Sequence, residues 1–386
     1  MSKVFDLIHL EALRQRNTVE LIASENFVSD DVLWVMGSCL TNKYAEGYTG
    51  NRYYGGCEHI DKVESYCQEK WKEAFRTDYH CNVQPHCGSN ANLAAYMATM
   101  KPGDIALGMD LNNGGHLTHG SRANFSGKLF DFRSYGVTPS GEIDYDLMRQ
   151  TAMLVKPKVI MAGASAYPRI IDFARIRQIC DDCGAFLIVD MSHIAGLVLA
   201  EVHPSPFGLA DVITTTTHKT LRGPRGGMIF CKPELAKKVD SAVFPGTQGG
   251  PLEHIIAAKA VAAEEACTGD YRLYINQVVL NAKAMADRFI ENGFELVTGG
   301  TDNHLFLVDF TNTHKDLTGK MAQDVLDRAN ITANKNCVPN EKRGPQLASG
   351  LRIGTPAMTT RGWWESDFIR CADQIAAILE PWRTGK

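Results

Sequence analysis

The stretch TTTTHKTLRGPRGG, residues 214–227, predicts a buried strand that ends in an irregular turn. Its threonines are β-branched and favour a strand, and the glycines and proline that follow favour a turn. Upstream, AFLIVDMSH at residues 185–193 is an apolar run broken by Asp190, the pattern of a strand buried on both faces. Because the carboxyl ends of parallel strands meet at one edge of a sheet, we expect Lys219 and Asp190 at the same edge.

A carboxylate and an amine at neighbouring strand ends are often only a structural ion pair. Here the flanking cations His218, Arg222 and Arg225 predict a lowered pKa for Lys219, which a Schiff-base amine needs in order to attack a carbonyl at neutral pH. An aspartate on the adjacent strand can keep a pyridine nitrogen protonated. Together these residues predict a pyridoxal phosphate site.

Composition narrows the class of protein. The 386 residues are 44% hydrophobic and carry a net charge of −4, without the basic blocks that a nucleic-acid groove requires. No apolar run reaches membrane-spanning length, and the N-terminus lacks the pattern of a signal peptide. The 11 scattered cysteines predict reduced thiols and hence a cytoplasmic location. The Cys180–Cys183 spacing has no second pair to complete it, so we expect no metal site.

Two glycine-containing segments predict further parts of the site. HCGSN at residues 86–90 opens a helix, whose free N–H groups and Ser89 hydroxyl form an anion site suited to the cofactor phosphate. LNNGGHLTHG at residues 111–120 follows a short strand and brings His116 to a strand end. A lone histidine is more often a packed residue, but this ring could stack on the pyridine.

Two other segments favour roles in binding. TNKYAEGYTGNRYYGG at residues 41–56 predicts a loop, and its tyrosines beside Glu46 indicate a site wall or a subunit contact. Arg352 interrupts an apolar strand. Such an arginine is often an interior ion-pair partner, but its planar fork also suits a substrate carboxylate.

Alternating strand and helix patterns, including a strand predicted over residues 128–132, indicate an α/β protein with a mostly parallel sheet. We predict an N-terminal arm with helices over residues 1–50, a large cofactor-binding domain over 51–267 and a small domain over 268–386.

The motifs taken together resemble the serine hydroxymethyltransferase family. They are LIASENF (21–27), TNKYAEGYTGNRYYGG (41–56), GGHLTHG (114–120), VDMSHIAGL (189–197), TTTTHKTLRGPRGG (214–227), SAVFPGTQGGP (241–251), GGTDNHLFLVD (299–309) and LRIGTPA (351–357). The resemblance implies a fold-type I pyridoxal phosphate enzyme, similar to aspartate aminotransferase, with a seven-stranded, mostly parallel sheet and a smaller C-terminal α+β domain. It also implies reversible transfer of the serine hydroxymethyl carbon to tetrahydrofolate, giving glycine and 5,10-methylenetetrahydrofolate.

The same resemblance implies residue roles in a cytoplasmic homodimer whose subunits share their active sites. Lys219 would bind the cofactor covalently, Asp190 would pair with its ring nitrogen, and His193 would lie by its phenolic oxygen. The implied cofactor contacts are Gly88, Ser89, His116, Ser165, Asp190, His193, His218 and Lys219, with Gly249 and Gly250 reaching across the interface. The implied substrate contacts are Ser24, Tyr44, Glu46, Tyr54 and Arg352, and the folate contacts are Leu111, Gly115, Leu117 and Asn336. The implied catalytic set is Lys219, Glu46, His116, Asp190, His193, Tyr54 and Thr216.

This sequence departs from the family pattern at a few positions. Cys87 stands where serine is usual, and a thiol is a weaker hydrogen-bond donor, so we expect reduced cofactor affinity. Asn113 stands where histidine is usual on the folate side. The alternatives are an allo-threonine-type aldolase, an α-methylserine hydroxymethyltransferase and a cofactor-binding protein without turnover. A protein without turnover would not need all four of Lys219, Asp190, Glu46 and Arg352, so their presence argues against the last alternative.

Overall fold

The computed structural model describes residues 2–384 and divides into two compact units. The central unit comprises Asn26–Ser165 and Ile170–Asn276. The terminal unit comprises Met1–Glu25, Ala166–Arg169 and Gln277–Lys386. The domain boundaries drawn from the sequence stay a prediction.

The secondary structure alternates between helices and strands along most of the chain. The helices are α1 (Lys3–Asn17), α2 (Asp30–Met36), α3 (Glu58–Phe75), α4 (Gly88–Thr99), α5 (Phe125–Leu129), α6 (Tyr145–Val155), α7 (Phe173–Cys183), α8 (Ala195–Leu199), α9 (Ala236–Ser241), α10 (Glu253–Ala266), α11 (Gly269–Glu291), α12 (Gly319–Arg328), α13 (Pro356–Thr360) and α14 (Glu365–Leu379). The strands are β1 (Val19–Glu20), β2 (Gly47–Tyr48), β3 (Asn51–Arg52), β4 (His80–Asn82), β5 (Ile105–Met109), β6 (Asp131–Tyr135), β7 (Val159–Ala162), β8 (Phe186–Asp190), β9 (Val212–Thr216), β10 (Gly227–Cys231), β11 (Glu295–Leu296), β12 (Leu305–Asp309), β13 (Ile331–Thr332), β14 (Asn334–Asn336) and β15 (Gly350–Gly354).

Among the residues that the structure describes, the central unit contains a sheet of seven strands in the order β4-β10-β9-β8-β7-β5-β6. Strand β10 runs antiparallel to β4 and β9, and the other pairs are parallel. Strands β7 and β9 are buried along their whole length, as expected for apolar strands covered on both faces. The predicted α/β class and mostly parallel sheet are confirmed, and β5, β7, β8 and β9 end at one edge.

Two local predictions differ from the structure. The apolar run at residues 128–132 is divided between α5 and β6, because the Asn124 side chain accepts a hydrogen bond from the Ser126 backbone and starts a helix there. The predicted loop at residues 41–56 contains a tight hairpin of β2 and β3. Gly47, with φ of +96°, supplies the left-handed backbone that precedes the turn.

The terminal unit contains an antiparallel sheet in the order β11-β12-β15-β14 and a parallel pair of β1 with β13. A core that includes Phe289, Phe306 and Phe368 is buried against this sheet. At the end of β15, a Cβ on Gly354 would lie 2.4 Å from Cα of Ala23. The backbone of residues 21–25 is therefore packed closely against this strand end, which places Ser24 near Arg352.

Among the residues that the structure describes, we find no helix that is both long enough and apolar enough to cross a bilayer.

A buried cluster of charges lies between the hairpin, α3 and α10 in the central unit. Arg52 bonds Glu64 at 2.8 Å, with the Glu64 side chain fully buried. Glu253 is 1% exposed, and neither of its carboxylate oxygens has a hydrogen-bond partner among the described residues. Burial, followed by the charge of Glu64, raises the pKa of Glu253 to about 8. Glu253 therefore binds a proton at neutral pH.

We expect Glu253→Gln to change how stability depends on pH. The folded-state pKa of Glu253 lies above its unfolded value of about 4.3, so its contribution to stability is complete below that value. This contribution is lost as pH rises through about 8. The free energy of unfolding should therefore fall less in the variant than in the native protein between about pH 6 and about pH 9.

Denaturant unfolding at both pH values measures this difference. Glu69→Gln, on the exposed face of α3, is the matched control and should follow the native profile. Parallel profiles for the native protein and Glu253→Gln would show that Glu253 does not titrate in this range.

Candidate active site

Lys219 lies three residues beyond the end of β9, as the sequence predicts, and is 9% exposed. Its Nζ donates to Oγ1 of Thr216 at 3.2 Å. Its carbonyl accepts a bond from Nδ2 of Asn26 at 3.0 Å. The Thr216 backbone donates in turn to Oγ of Ser192, which follows β8. These bonds fix the lysine at the carboxyl edge of the sheet.

Asp190 is the last residue of β8 and is buried. Its Oδ2 accepts bonds from Nδ2 of Asn92 at 2.9 Å and lies 3.2 Å from Nε2 of His119. Its Oδ1 accepts the backbone N–H of Ser192 at 3.0 Å. Burial opposes ionisation, but the bond and charge of His119 and the charges of His116 and Lys219 outweigh it and hold the pKa of Asp190 well below its usual range. The carboxylate stays charged in the interior.

Asn92 and His119 were not predicted from the sequence as partners of Asp190. Asn92 lies one turn into α4 after Ser89, and His119 lies three residues after His116, so helical and turn spacing offered a signal for both. The nitrogens of His116 and His119 and an oxygen of Asp190 also lie within 4.8 Å of one another. That donor set could hold a metal ion, but both oxygens of Asp190 already accept hydrogen bonds from N–H groups.

His116 lies in a loop of two short 3-10 turns after β5. Its Nδ1 is 2.7 Å from Oγ1 of Thr118, and its ring centre is 5.7 Å from that of His119. A Cβ on Gly115 would lie 2.2 Å from the carbonyl oxygen of Met109, so the loop folds back onto the strand end. His116 is therefore held beside the ring of His119.

Ser165 and His193 follow the ends of β7 and β8. The Ser165 backbone donates to the carbonyl of Gly114 at 2.7 Å, and the His193 carbonyl accepts Oγ1 of Thr220 at 2.9 Å. A Cβ on Gly163 would lie 2.1 Å from the carbonyl oxygen of Asp190, so these two strand ends approach closely. The structure thus brings both predicted residues to the edge that holds Asp190.

The N-terminus of α4 faces the end of β9. A Cβ on Gly88 would lie 2.7 Å from Cγ2 of Thr216, so only glycine fits there without a shift. Cys87 precedes the helix, and its Sγ donates to Oδ1 of Asn90 at 3.0 Å. Gly88 and Ser89, the predicted phosphate contacts, open the helix with their N–H groups.

His218 adds a second feature to this region. Its Nδ1 is buried and has no hydrogen-bond partner among the described residues. Burial, and then the charges of Lys219 and Arg225, lower the pKa of His218 to about 3. A neutral imidazole with an unused nitrogen, two residues beyond the Thr216 side chain that lies against the helix start, fits a phosphate group.

Tyr44, Glu46 and Tyr54 lie together with the two predicted interface glycines. The rings of Tyr44 and Tyr54 are 5.3 Å apart. A Cβ on Gly249 would lie 3.2 Å from Oε1 of Glu46, and one on Gly250 would lie 3.0 Å from Cε1 of Tyr44. The charge of Glu46 raises the pKa of Tyr54, so this phenol stays protonated.

Arg52, a residue that the sequence analysis did not single out, fixes the loop that carries Glu46. Its Nη1 donates at 2.9 Å to the carbonyls of Ala45 and Gly47, on either side of Glu46. The ion pairs of Arg52 with Asp61 and Glu64 on α3 hold the guanidinium in place. The signal in the sequence was the arginine itself, placed inside a glycine-rich and tyrosine-rich segment.

Arg352 and Ser24 belong to the terminal unit. Arg352 lies in the middle of β15 and is 8% exposed. Its Nη2 donates to Oγ of Ser24 at 3.4 Å, and its Nε donates to Oδ1 of Asn334 at 3.1 Å. Burial lowers the pKa of Arg352 to about 10, which leaves the guanidinium charged at neutral pH. The structure therefore brings these two predicted substrate residues together.

The predicted folate residues are placed in both units. In the central unit, Leu111 and Leu117 are 41% and 49% exposed and lie on either side of Gly115. In the terminal unit, Asn336 ends β14 and donates to the carbonyl of Cys337 at 2.7 Å. These exposed leucines of the loop that carries His116 provide an apolar surface.

The comparison with known families agrees with the fold. A family model for serine hydroxymethyltransferase matches residues 1–375. Enzymes of this family use pyridoxal 5'-phosphate and take tetrahydrofolate as co-substrate. The match covers nearly the whole chain, and the protein belongs to the serine hydroxymethyltransferase family.

Proposed function

We propose that this chain transfers the hydroxymethyl carbon of L-serine to tetrahydrofolate through a site in which Lys219 binds the cofactor and Asp190 faces its ring nitrogen. The observation that carries the proposal is the pair of strand ends. An ionised Asp190 ends β8, Lys219 follows the adjacent parallel strand β9, and both are buried. A buried amine and a buried carboxylate at this edge match what the cofactor requires of a protein.

Bound pyridoxal phosphate supplies a protonated ring that accepts the electron pair released when the Cα–Cβ bond of serine breaks. The role of Asp190 is to keep the proton on the ring nitrogen, and its depressed pKa suits that role. Thr216 holds Nζ of Lys219 through its hydroxyl. His116 would place its flat ring against the cofactor, and Ser165 and His193 would lie by its phenolic oxygen.

The phosphate would lie at the N-terminus of α4. The N–H groups of Gly88 and Ser89, together with the unused Nδ1 of His218, support this assignment. We refer to Gly88, Ser89 and His218 as the anion seat. The Cys87 thiol donates a hydrogen bond to Asn90. The reduced cofactor affinity that we expect from Cys87 stays a prediction.

Glu46 would receive and return the proton of the serine hydroxyl, with Tyr54 as a neutral hydrogen-bond donor beside it. The proposal places this pair, with Tyr44, Gly249 and Gly250, in the active site of a second copy of the chain. Two observations support such a homodimer: the Tyr44 and Tyr54 side chains are 57% and 46% exposed, and the apolar residues of α1 are exposed. The exposed α1 residues are Val4, Phe5, Leu7, Ile8, Leu10 and Leu13.

Arg352 would bind the serine carboxylate with help from Ser24. Two donors of its guanidinium are oriented by neutral oxygens, which positions the group without neutralising its charge. Leu111, Gly115, Leu117 and Asn336 would line the pocket for tetrahydrofolate. The cytoplasmic location stays a prediction, supported by cysteines that are all free thiols among the described residues.

We expect Lys219→Arg to lose tetrahydrofolate-dependent formation of glycine from serine by at least about 1,000-fold, as when a catalytic nucleophile is removed. Arginine cannot lose its proton at neutral pH and so cannot replace the amine. Lys237→Arg, on the surface, is the control and should retain native turnover. Near-native turnover in Lys219→Arg would refute the assignment of this lysine. If the native protein forms glycine at a rate that does not depend on tetrahydrofolate, the result would favour an aldolase.

Mixing two inactive variants tests whether the sites are shared between subunits. Chains with Lys219→Arg and chains with Glu46→Gln are unfolded and refolded together. If Glu46 acts in the partner's site, half of the dimers are mixed, and each mixed dimer has one intact site. Activity should then recover to about a quarter of the native value. A mixture of Lys219→Arg with Asp190→Asn should show no recovery. No recovery in the first mixture would place Glu46 and Lys219 in the same subunit's site.

We expect Arg352→Lys to raise KM for serine by about 10- to 100-fold, because a lysine cannot replace the two-point contact of a guanidinium with a carboxylate. The KM for tetrahydrofolate and the bound cofactor content should change little. Arg328→Lys, at the exposed end of α12, serves as the control. An unchanged KM for serine would show that Arg352 serves only the packing of the terminal unit and does not bind the substrate.

A further inference from the structure

Lys259 is a buried cation that the proposed reaction does not use. It lies in the middle of α10 and is 1% exposed. Its Nζ donates to three backbone carbonyls, those of Val83 at 2.7 Å, Pro85 at 3.2 Å and Gly227 at 2.8 Å. All three protons of the ammonium therefore have acceptors.

A buried ammonium is costly, and packing alone does not require one. Burial lowers the pKa of Lys259 to about 8. Its hydrogen bonds go to carbonyl dipoles, which leave its net charge in place. At neutral pH the interior of the central unit thus retains a positive charge at this point.

The three carbonyls belong to the two segments that meet at the start of α4. Val83 and Pro85 lead into this helix, and Gly227 begins β10. The Gly227 backbone also donates to the carbonyl of Pro85 at 3.1 Å. A Cβ on Gly227 would lie 2.5 Å from the carbonyl oxygen of Cys87 and 3.1 Å from the backbone nitrogen of Gly88. Lys259 therefore connects these segments immediately next to the anion seat.

The charge of Lys259 contributes to lowering the pKa of two nearby histidines. Burial, followed by the charges of Lys219, Arg225 and Lys259, lowers the pKa of His218. Burial and the charge of Lys259 also lower the pKa of His86, which precedes the helix start by two residues. A field that disfavours imidazolium at these two positions favours an anion there.

We propose that Lys259 is a positioning residue for the cofactor phosphate, because its ammonium holds residues 83–88 against the start of β10 and adds positive charge to the anion seat. This inference rests on the proposed seat at Gly88, Ser89 and His218. Lys259 acts on the phosphate through the backbone and through its field, without contact with the reacting atoms.

The test compares two ligands that differ only in the phosphate group. Pyridoxal 5'-phosphate and pyridoxal are titrated into the cofactor-free full-length chain, and the visible absorbance of the bound ligand gives each Kd. In Lys259→Met, the ratio of the pyridoxal Kd to the pyridoxal phosphate Kd should fall by about 10- to 100-fold relative to native protein. The Kd for pyridoxal itself should stay within about threefold of the native value.

Two further variants separate the possible failures. Lys237→Met removes the same charge at the surface and should keep the native ratio. Ser89→Ala tests the seat itself and should lower the ratio. If Ser89→Ala lowers the ratio and Lys259→Met does not, the inference about Lys259 is overturned while the seat stands. If neither variant lowers it, the proposed seat is wrong.

The same two ligands also distinguish an effect of Lys259 on the phosphate from a role in packing the fold. Equal weakening of both ligands by Lys259→Met would show that Lys259 only supports the fold, and would overturn the inference. If this variant does not fold, Lys259→Gln carries the same comparison, because its amide still donates hydrogen bonds but has no charge. A native ratio in Lys259→Gln would show that the charge of Lys259 does not act on the phosphate.

Discussion

The ionised carboxylate of Asp190 is the constraint on which the arrangement of the strand edge depends. Burial by itself would keep this group protonated, and a protonated carboxyl could not hold a proton on a neighbouring ring nitrogen. The bond and charge of His119 in the loop after β5, with the charges of His116 and Lys219, keep it charged. Asn92 on α4 and the backbone of Ser192 after β8 donate the other hydrogen bonds to this carboxylate. Three separate elements must therefore converge on one side chain, and each of them also carries or adjoins a predicted cofactor contact.

That convergence requires backbone approaches that only glycine permits. A Cβ on Gly163 would lie 2.1 Å from the carbonyl oxygen of Asp190, and one on Gly88 would lie 2.7 Å from Cγ2 of Thr216. Gly163 also has φ of +118°, which other residues rarely adopt. The ends of β7 and β8 and the start of α4 are thus brought to one small region. The first N–H groups of α4 have no acceptor within the helix, and the close packing of Gly88 on Thr216 puts this helix start at the same edge.

Much of this edge could be predicted from local sequence, and the missing parts depend on long-range contacts. The β-branched run before Lys219 and the glycines after it define a strand end by local preference alone. The proximity of Asp190 follows from the rule for parallel sheets. Local spacing places Asn92 on the same helix as Ser89 and His119 close to His116, but their bonds to Asp190 depend on how α4 and the loop after β5 lie across the sheet. The role of Arg52 was missed for the same reason, because its carboxylate partners are on α3.

The charges at this edge divide the histidines into two kinds. His119 approaches the Asp190 carboxylate, and its hydrogen bond is the largest of the contributions that favour the ionised aspartate. His218 is surrounded by Lys219, Arg225 and Lys259, and burial with these cations keeps its imidazole neutral, with a pKa of about 3. The positive field at the helix start therefore comes from lysine and arginine side chains and the helix dipole, and His218 contributes hydrogen bonding without charge. Because no imidazolium is needed there, His218 in the anion seat stays neutral through the pH range in which an ordinary histidine would titrate.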